Sequence, residues 1–101
     1  MARTKIIWTP KATDDLREIR ERIARNAPKT AQDFTRWLTA AAGRLKDFPE
    51  IGWIVEEIGD PRIREIGYGN FRIIYRFTGK RIYILAVRRG SRLLDPEEFV
   101  E

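Results

Sequence analysis

The stretch "RIREIGYGNFRIIYRFTGKRIYILAV" (Arg62–Val87) decides the fold, because it contains three strand patterns separated by two glycine-containing turns. Runs rich in isoleucine, tyrosine and phenylalanine between turn residues are typical of β-strands. The pattern predicts strands over Arg62–Tyr68, Phe71–Phe77 and Arg81–Val87. The short Gly69–Asn70 and Thr78–Lys80 connections are typical of hairpins. Consecutive strands joined in this way form an antiparallel sheet.

Two amphipathic helices are predicted upstream of these strands. Thr9 followed by Pro10 is a helix-start signal, and the first helix is expected to run to about Arg25. The second helix begins at Pro28, and its apolar repeat continues until Pro49 stops it. The first apolar stripe contains Ala12, Leu16, Ile19 and Ile23, and the second contains Ala31, Phe34, Leu38, Ala41, Leu45 and Phe48. The short break between the helices predicts an antiparallel hairpin.

A further strand is predicted over Arg3–Thr9, and a glycine- and proline-containing connection over Pro49–Pro61. The element order is therefore β-α-α-β-β-β. This order predicts an α+β fold in which the helical hairpin packs on one face of a mostly antiparallel four-stranded sheet. At 101 residues, the chain is expected to form a single domain over residues 1–101.

Histidine and cysteine are both absent. Their absence excludes the usual zinc and transition-metal ligand sets, as well as Ser-His-Asp triads and cysteine nucleophiles. Only a magnesium site made of carboxylates is left open, and we predict no metal and no cofactor. No run of about 18 apolar residues and no secretory h-region occurs. A cytoplasmic protein without membrane contacts is therefore expected.

The net charge of +5 is unevenly distributed. Nine basic residues and a single acid, Glu65, lie between Arg62 and Arg92, whereas residues 93–101 contain four acids and no base. Residues 1–61 are nearly balanced. A concentrated positive segment favours an acidic partner.

Strand alternation predicts where the arginines point. In Phe71–Phe77, the aromatic residues and Ile73 should face the helices, which leaves Arg72 and Arg76 on the opposite face. Arg64 is the best candidate to flank them, and Gly90 could let Arg92 return over the same surface. Guanidinium groups bind phosphates and carboxylates well. Surface cations that stack on aromatic neighbours are the alternative, and spacing does not decide between the two.

RNA cleavage by 2′-hydroxyl attack needs a base, a cation and an acid. Arginines supply the cation but do not deprotonate. The remaining candidates are Glu65, Glu97, Glu98 and a tyrosine, and no motif places any of them. We expect Glu65 to neutralise an arginine.

Four segments resemble the RelE/ParE superfamily of type II toxins: "NAPKTAQDF" (26–34), "LKDFPEIG" (45–52), "RIREIGYGNFRIIYRF" (62–77) and "IYILAVRRGSRLL" (82–94). They occur in family order over nearly the whole chain. The second-helix start and "RIIYR" are most similar to the ParE branch. The resemblance implies that the chain is the toxin of a toxin–antitoxin module of the kind that stabilises plasmids. It also implies the fold predicted above.

The two branches have different targets. RelE-like members cleave mRNA in the ribosomal A site, whereas ParE-like members inhibit DNA gyrase. By position, the RelE-type catalytic arginines correspond to Arg72 and Arg92. The RelE-type lysines before the central hairpin fall near Arg62–Glu65, where this chain has no lysine. Glu98 or Phe99 falls where many members have tyrosine or histidine. The resemblance therefore implies gyrase inhibition without enzymatic activity; the alternative is a ribosome-dependent mRNA endoribonuclease.

The resemblance also implies a cognate antitoxin with an acidic, amphipathic C-terminal segment. We expect this segment to cover a basic surface with exposed apolar residues. The predicted contacts are Arg64, Arg76, Arg88, Arg89, Leu93 and Leu94, with Ile74 as a further exposed apolar position. A nontoxic module that binds an antitoxin or nucleic acid is a third hypothesis.

Overall fold

The computed structural model describes residues 4–90 and 94–99. The elements in chain order are β1 (Lys5–Trp8), α1 (Pro10–Ala24), α2 (Pro28–Gly43), β2 (Trp53–Ile54), β3 (Ile63–Tyr68), β4 (Phe71–Phe77) and β5 (Arg81–Arg89). Short 3-10 helices cover Arg44–Lys46 and Pro96–Phe99. In the described part of the chain, no helix is long and apolar enough to cross a bilayer.

The strands form one sheet in the order β1-β5-β4-β3-β2. β1 runs parallel to β5, and the other neighbours are antiparallel. The predicted α+β class and element order are confirmed, but the sheet has five strands and not four. The additional strand, β2, has only two residues and lies within the predicted connection. Two residues cannot display the alternation by which strands are predicted.

The start of α1 confirms the predicted Thr9–Pro10 signal. The Thr9 hydroxyl accepts a hydrogen bond from the Ala12 amide at 3.2 Å and donates one to the Ile84 carbonyl at 2.7 Å. The cap therefore also attaches the helix to β5. The second helix ends earlier than predicted, because the chain tightens into a 3-10 turn after Gly43. Phe48 is 60% exposed as a result and does not extend the apolar stripe.

The main core lies between the helical hairpin and one face of the sheet. The aromatic residues and Ile73 of β4 face this core, as the alternation predicts. Its fully or nearly fully buried members are Ala12, Leu38, Ala42, Leu45, Ile73, Tyr75, Ile82, Ile84 and Val87.

A second core covers the opposite face of the sheet. It contains Val55, Ile63, Ile74, Ala86 and Leu94, with Ile58, Leu85 and Phe99 packed around them. Ile74 and Leu94 are only 0% and 5% exposed, so the prediction that both are exposed apolar residues was wrong. The connection before β3 and the C-terminal segment both fold over this face. Strand periodicity contains no information about such coverage.

A β-bulge lets β5 contribute to both cores. Ile74 pairs with Ala86 and Tyr75 pairs with Ile84, which leaves Leu85 as the extra residue. The extra residue reverses the alternation. Ala86 consequently faces the second core while Val87 faces the helices.

Candidate functional site

Arg72 lies in a cluster with two glutamates on the face of the sheet away from the helices. Its Nε donates to Glu65 Oε1 at 2.9 Å, and its Nη2 donates to Glu65 Oε2. Its Nη1 and Nη2 donate to Glu57 Oε2 at 2.9 Å and Oε1 at 3.2 Å. Glu65 comes from β3 and Glu57 from the connection after β2. The Arg72 side chain is 12% exposed, so both ion pairs are largely shielded from solvent.

The cluster is negatively charged at neutral pH. Hydrogen bonding from Arg72 is the main cause that lowers the pKa of Glu57 to about 2. The hydrogen bonds to Glu65 and then to Glu57 raise the pKa of the Arg72 guanidinium above its usual value. Two carboxylates thus accompany one cation. A phosphate could approach this guanidinium only by displacing carboxylates that are already well bonded.

Arg64 does not lie beside Arg72 as predicted. It pairs in register with Tyr75, which faces the helices, whereas Glu65 lies on the Arg72 side. The Nη1 of Arg64 donates to the Gly52 carbonyl at 3.0 Å and contacts the Glu50 carbonyl at 3.4 Å. The predicted orientation of β3 was wrong by one residue, and adjacent residues of a strand point to opposite faces. Arg64 therefore supports the segment before β2.

Arg76 does lie on the face away from the helices. Its guanidinium carbon is 5.5 Å from the centre of the Tyr83 ring on β5. This is the stacked arrangement that the sequence left open as an alternative to ligand binding.

Arg88 is part of a second ion-pair network, which joins α1, β5 and the C-terminal turn. Asp15 of α1, only 5% exposed, accepts from the Val87 amide at 3.0 Å and from Arg88 Nε at 3.4 Å. The Nζ of Lys11 lies 3.2 Å from the same carboxylate. Arg88 Nη1 also donates to Glu98 at 2.8 Å. The Arg88 side chain is 11% exposed, so it contributes little to an exposed basic surface. Its contact with an antitoxin stays a prediction.

Asp15 is the residue of this network that the sequence reasoning missed. It lies three residues after Ala12 and four before Ile19, and therefore on the buried stripe of α1. A carboxylate on a buried stripe indicates a specific partner. Here the partners include the Val87 amide of β5, which lies beyond the β5 residues that pair with β1.

A groove of about 230 Å³ runs between α1 and the end of β5. Apolar side chains of α1, β4 and β5 line it, and charged groups surround it. The apolar lining is Ile19, Ile23, Phe71 and Val87, and the charged lining is Lys11, Asp15, Glu18, Arg22, Arg88, Arg89 and Glu98. Arg89 is exposed, and its guanidinium carbon lies 5.9 Å from the centre of the Phe71 ring. Of the expected basic contacts, Arg89 is the one that the structure presents to solvent beside an apolar surface.

Two predicted residues, Arg92 and Leu93, lie outside the described residues. The proximity of Arg92 to Arg72 therefore stays a prediction. Glu97 is exposed in the C-terminal turn, and Glu98 is engaged with Arg88. Within residues 4–90 and 94–99, no three acidic side chains are grouped so as to hold a metal ion.

The fold and the sequence both lead to a known family. Residues 6–94 match the family described as "ParE toxin of type II toxin-antitoxin system, parDE". The chain belongs to this family. It is therefore a toxin of the RelE/ParE superfamily of type II toxin–antitoxin systems, and the predicted resemblance is confirmed.

Relatives carry the names of both branches. Toxin RelE2 of Caulobacter vibrioides is 29% identical over 90 residues, which cover 88% of this chain and 98% of that toxin. A chain of the chromosomal ParDE system from P. aeruginosa has a TM-score of 0.74 at 23% identity, with 87% and 97% of the two chains covered. A chain of the RelBE2 toxin–antitoxin complex from Mycobacterium tuberculosis has a TM-score of 0.57 at 19% identity, covering 88% and 99%. At such identities, the two structures show a shared fold.

Proposed function

We propose that this ParE-family toxin inhibits DNA gyrase in the cytoplasm, and that a cognate antitoxin neutralises it by covering the groove between α1 and β5. The proposal depends on one observation above all. Arg72, which corresponds to a catalytic arginine of the RNA-cleaving branch, is held by Glu57 and Glu65. This arrangement supports a binding protein over a nuclease.

Phosphodiester cleavage requires a cation for the developing charge and groups that transfer protons. An arginine that is already bonded to two carboxylates stabilises additional negative charge poorly. The chain has no histidine, and its three tyrosines are all packed. Tyr68 and Tyr75 belong to the helix-facing core, and Tyr83 lies under Arg76. Burial raises the pKa of the Tyr75 hydroxyl, so the ionised form that could accept a proton is even rarer at neutral pH.

The groove between α1 and β5 suits an acidic, amphipathic antitoxin segment. Ile19, Ile23 and Phe71 offer an apolar floor, while Arg22 and Arg89 can pair with acids of the antitoxin. The ParDE and RelBE2 names of the structural relatives support a toxin–antitoxin pairing here as well. Leu93 remains a predicted contact of the same segment.

The gyrase proposal is tested with purified toxin in a supercoiling assay on relaxed plasmid. We expect supercoiling to stop at excess toxin and to recover when the cognate antitoxin is added. Supercoiling that continues at every toxin concentration would contradict the proposal. An Arg22→Glu/Arg89→Glu variant should still inhibit gyrase but should no longer be relieved by antitoxin, because the cationic edge of the groove is reversed.

A ribosome-dependent mRNA endoribonuclease is the second candidate, supported by the 29% identity to toxin RelE2 and by the position of Arg72. Brief induction without antitoxin distinguishes the two candidates. Gyrase inhibition should cause DNA damage and filamentation while mRNA stays intact. Fragmentation of mRNA by the original toxin that is absent with Arg72→Ala would establish the endonuclease instead, provided that circular dichroism shows the variant to be folded. Normal growth on induction would favour the third hypothesis, a nontoxic binding module.

A further inference from the structure

Residues 47–61, which we call the acidic edge segment, differ from the rest of this basic protein. They contain five acids, Asp47, Glu50, Glu56, Glu57 and Asp60, and no basic residue. Most of the strongly exposed large apolar side chains among the described residues also belong to this segment. These are Phe48 at 60%, Ile51 at 55%, Trp53 at 79% and Ile54 at 45%, whereas Trp37 at 55% lies on α2.

The acidic edge segment is held firmly against the sheet. Its strand β2 pairs with β3, and the Gly52 amide donates to the Tyr75 hydroxyl at 3.0 Å. The Gly52 carbonyl accepts from Arg64 at 3.0 Å. The exposure of Trp53 is therefore a feature of an ordered structure. Because Trp53 is 79% exposed, the fold forgoes the stabilisation that burial of this large apolar side chain would provide.

β2 is also an edge strand of the sheet. Edge strands are usually protected by lysine, proline or a covering element, because unpaired edges bind other chains. Here the edge carries Trp53 and Ile54. Beside it lies an open groove of about 650 Å³ whose lining includes Glu56, Glu57 and Glu65.

The charges around Trp53 specify the kind of partner. Among the described residues, the arginines of this region are Arg64 and Arg72, and they are engaged by backbone carbonyls and by carboxylates respectively. Glu56 is exposed, so the surface beside Trp53 is acidic overall. An acidic surface with large apolar residues complements a segment that carries lysine or arginine between large apolar side chains.

We propose that the acidic edge segment is a docking surface for a second protein, whose contacting segment is basic and apolar. This surface differs in charge from the groove between α1 and β5, so an acidic antitoxin segment and this partner occupy separate faces. A second copy of the chain fits poorly, because a two-fold contact would place the acids of both copies together. The inference does not depend on whether gyrase is the target.

Short fluorescein-labelled peptides of alternating lysine and valine test the proposal, with alternating serine and valine as the uncharged matched probe. Fluorescence anisotropy with the full-length toxin should show binding of the Lys-Val peptide at least about tenfold tighter than that of the Ser-Val peptide. The affinity should fall when salt is raised from about 0.05 M to 0.5 M, because partly exposed charges are screened. Equal binding of both peptides would overturn the proposal.

Two pairs of variants locate the binding surface. Trp53→Ser and Glu56→Lys should each weaken the Lys-Val complex about tenfold. Trp37→Ser removes an exposed tryptophan of α2, and Glu21→Lys makes the same charge change on α1; both should stay within about twofold of the original affinity. Circular dichroism and thermal unfolding establish that each variant is folded. Equal losses in the matched variants, or a dimer in sedimentation that Trp53→Ser abolishes, would contradict the assignment.

Discussion

At the scale of single residues, the environment of Arg72 decides what this side chain can do. Its place in β4 follows from the sequence, and so does its orientation away from the helices. The carboxylates that hold it come from positions seven and fifteen residues away. The alternation of side chains along β3 places Glu65 on the same face of the sheet, whereas Glu57 belongs to the irregular segment between β2 and β3. Arg72 therefore combines a position that resembles a catalytic one in the RelE branch with a guanidinium held in two ion pairs.

The Arg72–Glu57 pair predicts a specific dependence of stability on pH. The pKa of Glu57 is lowered from 4.5 in the reference state to about 2 in the fold. A pKa that is lower in the folded state stabilises the protein at pH values above the pKa of the unfolded state. This contribution is lost as the pH falls from about 4.5 through 2. After discounting for partial solvent exposure, we expect it to be about 1–3 kcal/mol.

Urea unfolding at several pH values between 7 and 2 measures this contribution. Glu57→Gln should be less stable than the original protein at pH 7 but should lose less stability on acidification. Glu56→Gln, a change at the exposed neighbouring position, is the control and should follow the original pH profile. Parallel profiles for the original protein and Glu57→Gln would show that the Arg72 pair does not stabilise the fold.

At the scale of elements, Gly52 determines where β2 lies. A Cβ at this position would stand 2.6 Å from the Glu65 carbonyl oxygen and 2.6 Å from the Tyr75 hydroxyl. Neither group can move easily, since one is strand backbone and the other is buried. The edge strand can therefore approach β3 and β4 only with glycine here. This requirement arises from close packing and not from an unusual backbone angle.

Gly52→Ala is predicted to lower the free energy of unfolding by about 1–3 kcal/mol, because the added methyl group overpacks the site. Gly43→Ala is the matched substitution. Gly43 has helical dihedral angles, and nothing lies within 4 Å of the position that an alanine methyl group would take there, so alanine should raise stability by about 0.5–1 kcal/mol. Chemical denaturation of the two variants measures both effects. A neutral or stabilising Gly52→Ala would contradict the packing described for β2.

At the scale of the whole molecule, the sheet is covered on both faces. The helical hairpin covers one face, and the connection before β3 together with the C-terminal segment covers the other. Leu94 is 5% exposed, and its amide lies 3.4 Å from a Glu57 carboxylate oxygen. Residues 94–99 thus contact both the second core and the Arg72 cluster.

Leu94→Ala should destabilise the protein by about 2–4 kcal/mol, because it creates a cavity in the second core. Glu97→Ala, a change at an exposed position three residues later, should change stability by less than about 0.5 kcal/mol. Thermal unfolding compares the two variants. Equal and small effects would mean that the C-terminal segment does not cover the sheet as described.

The sequence by itself determined the helices, the long strands, the face that meets the helices and the family. These properties depend on periodicity, turn residues and caps, which act over a few neighbouring positions. Only the tertiary structure decided that Arg72 is neutralised by Glu57, that Arg88 is held by Asp15, and that Ile74 and Leu94 are buried. Each of these facts concerns residues brought together by irregular segments or by different elements. Local sequence patterns do not report such contacts, because their energy depends on positions far apart in the chain.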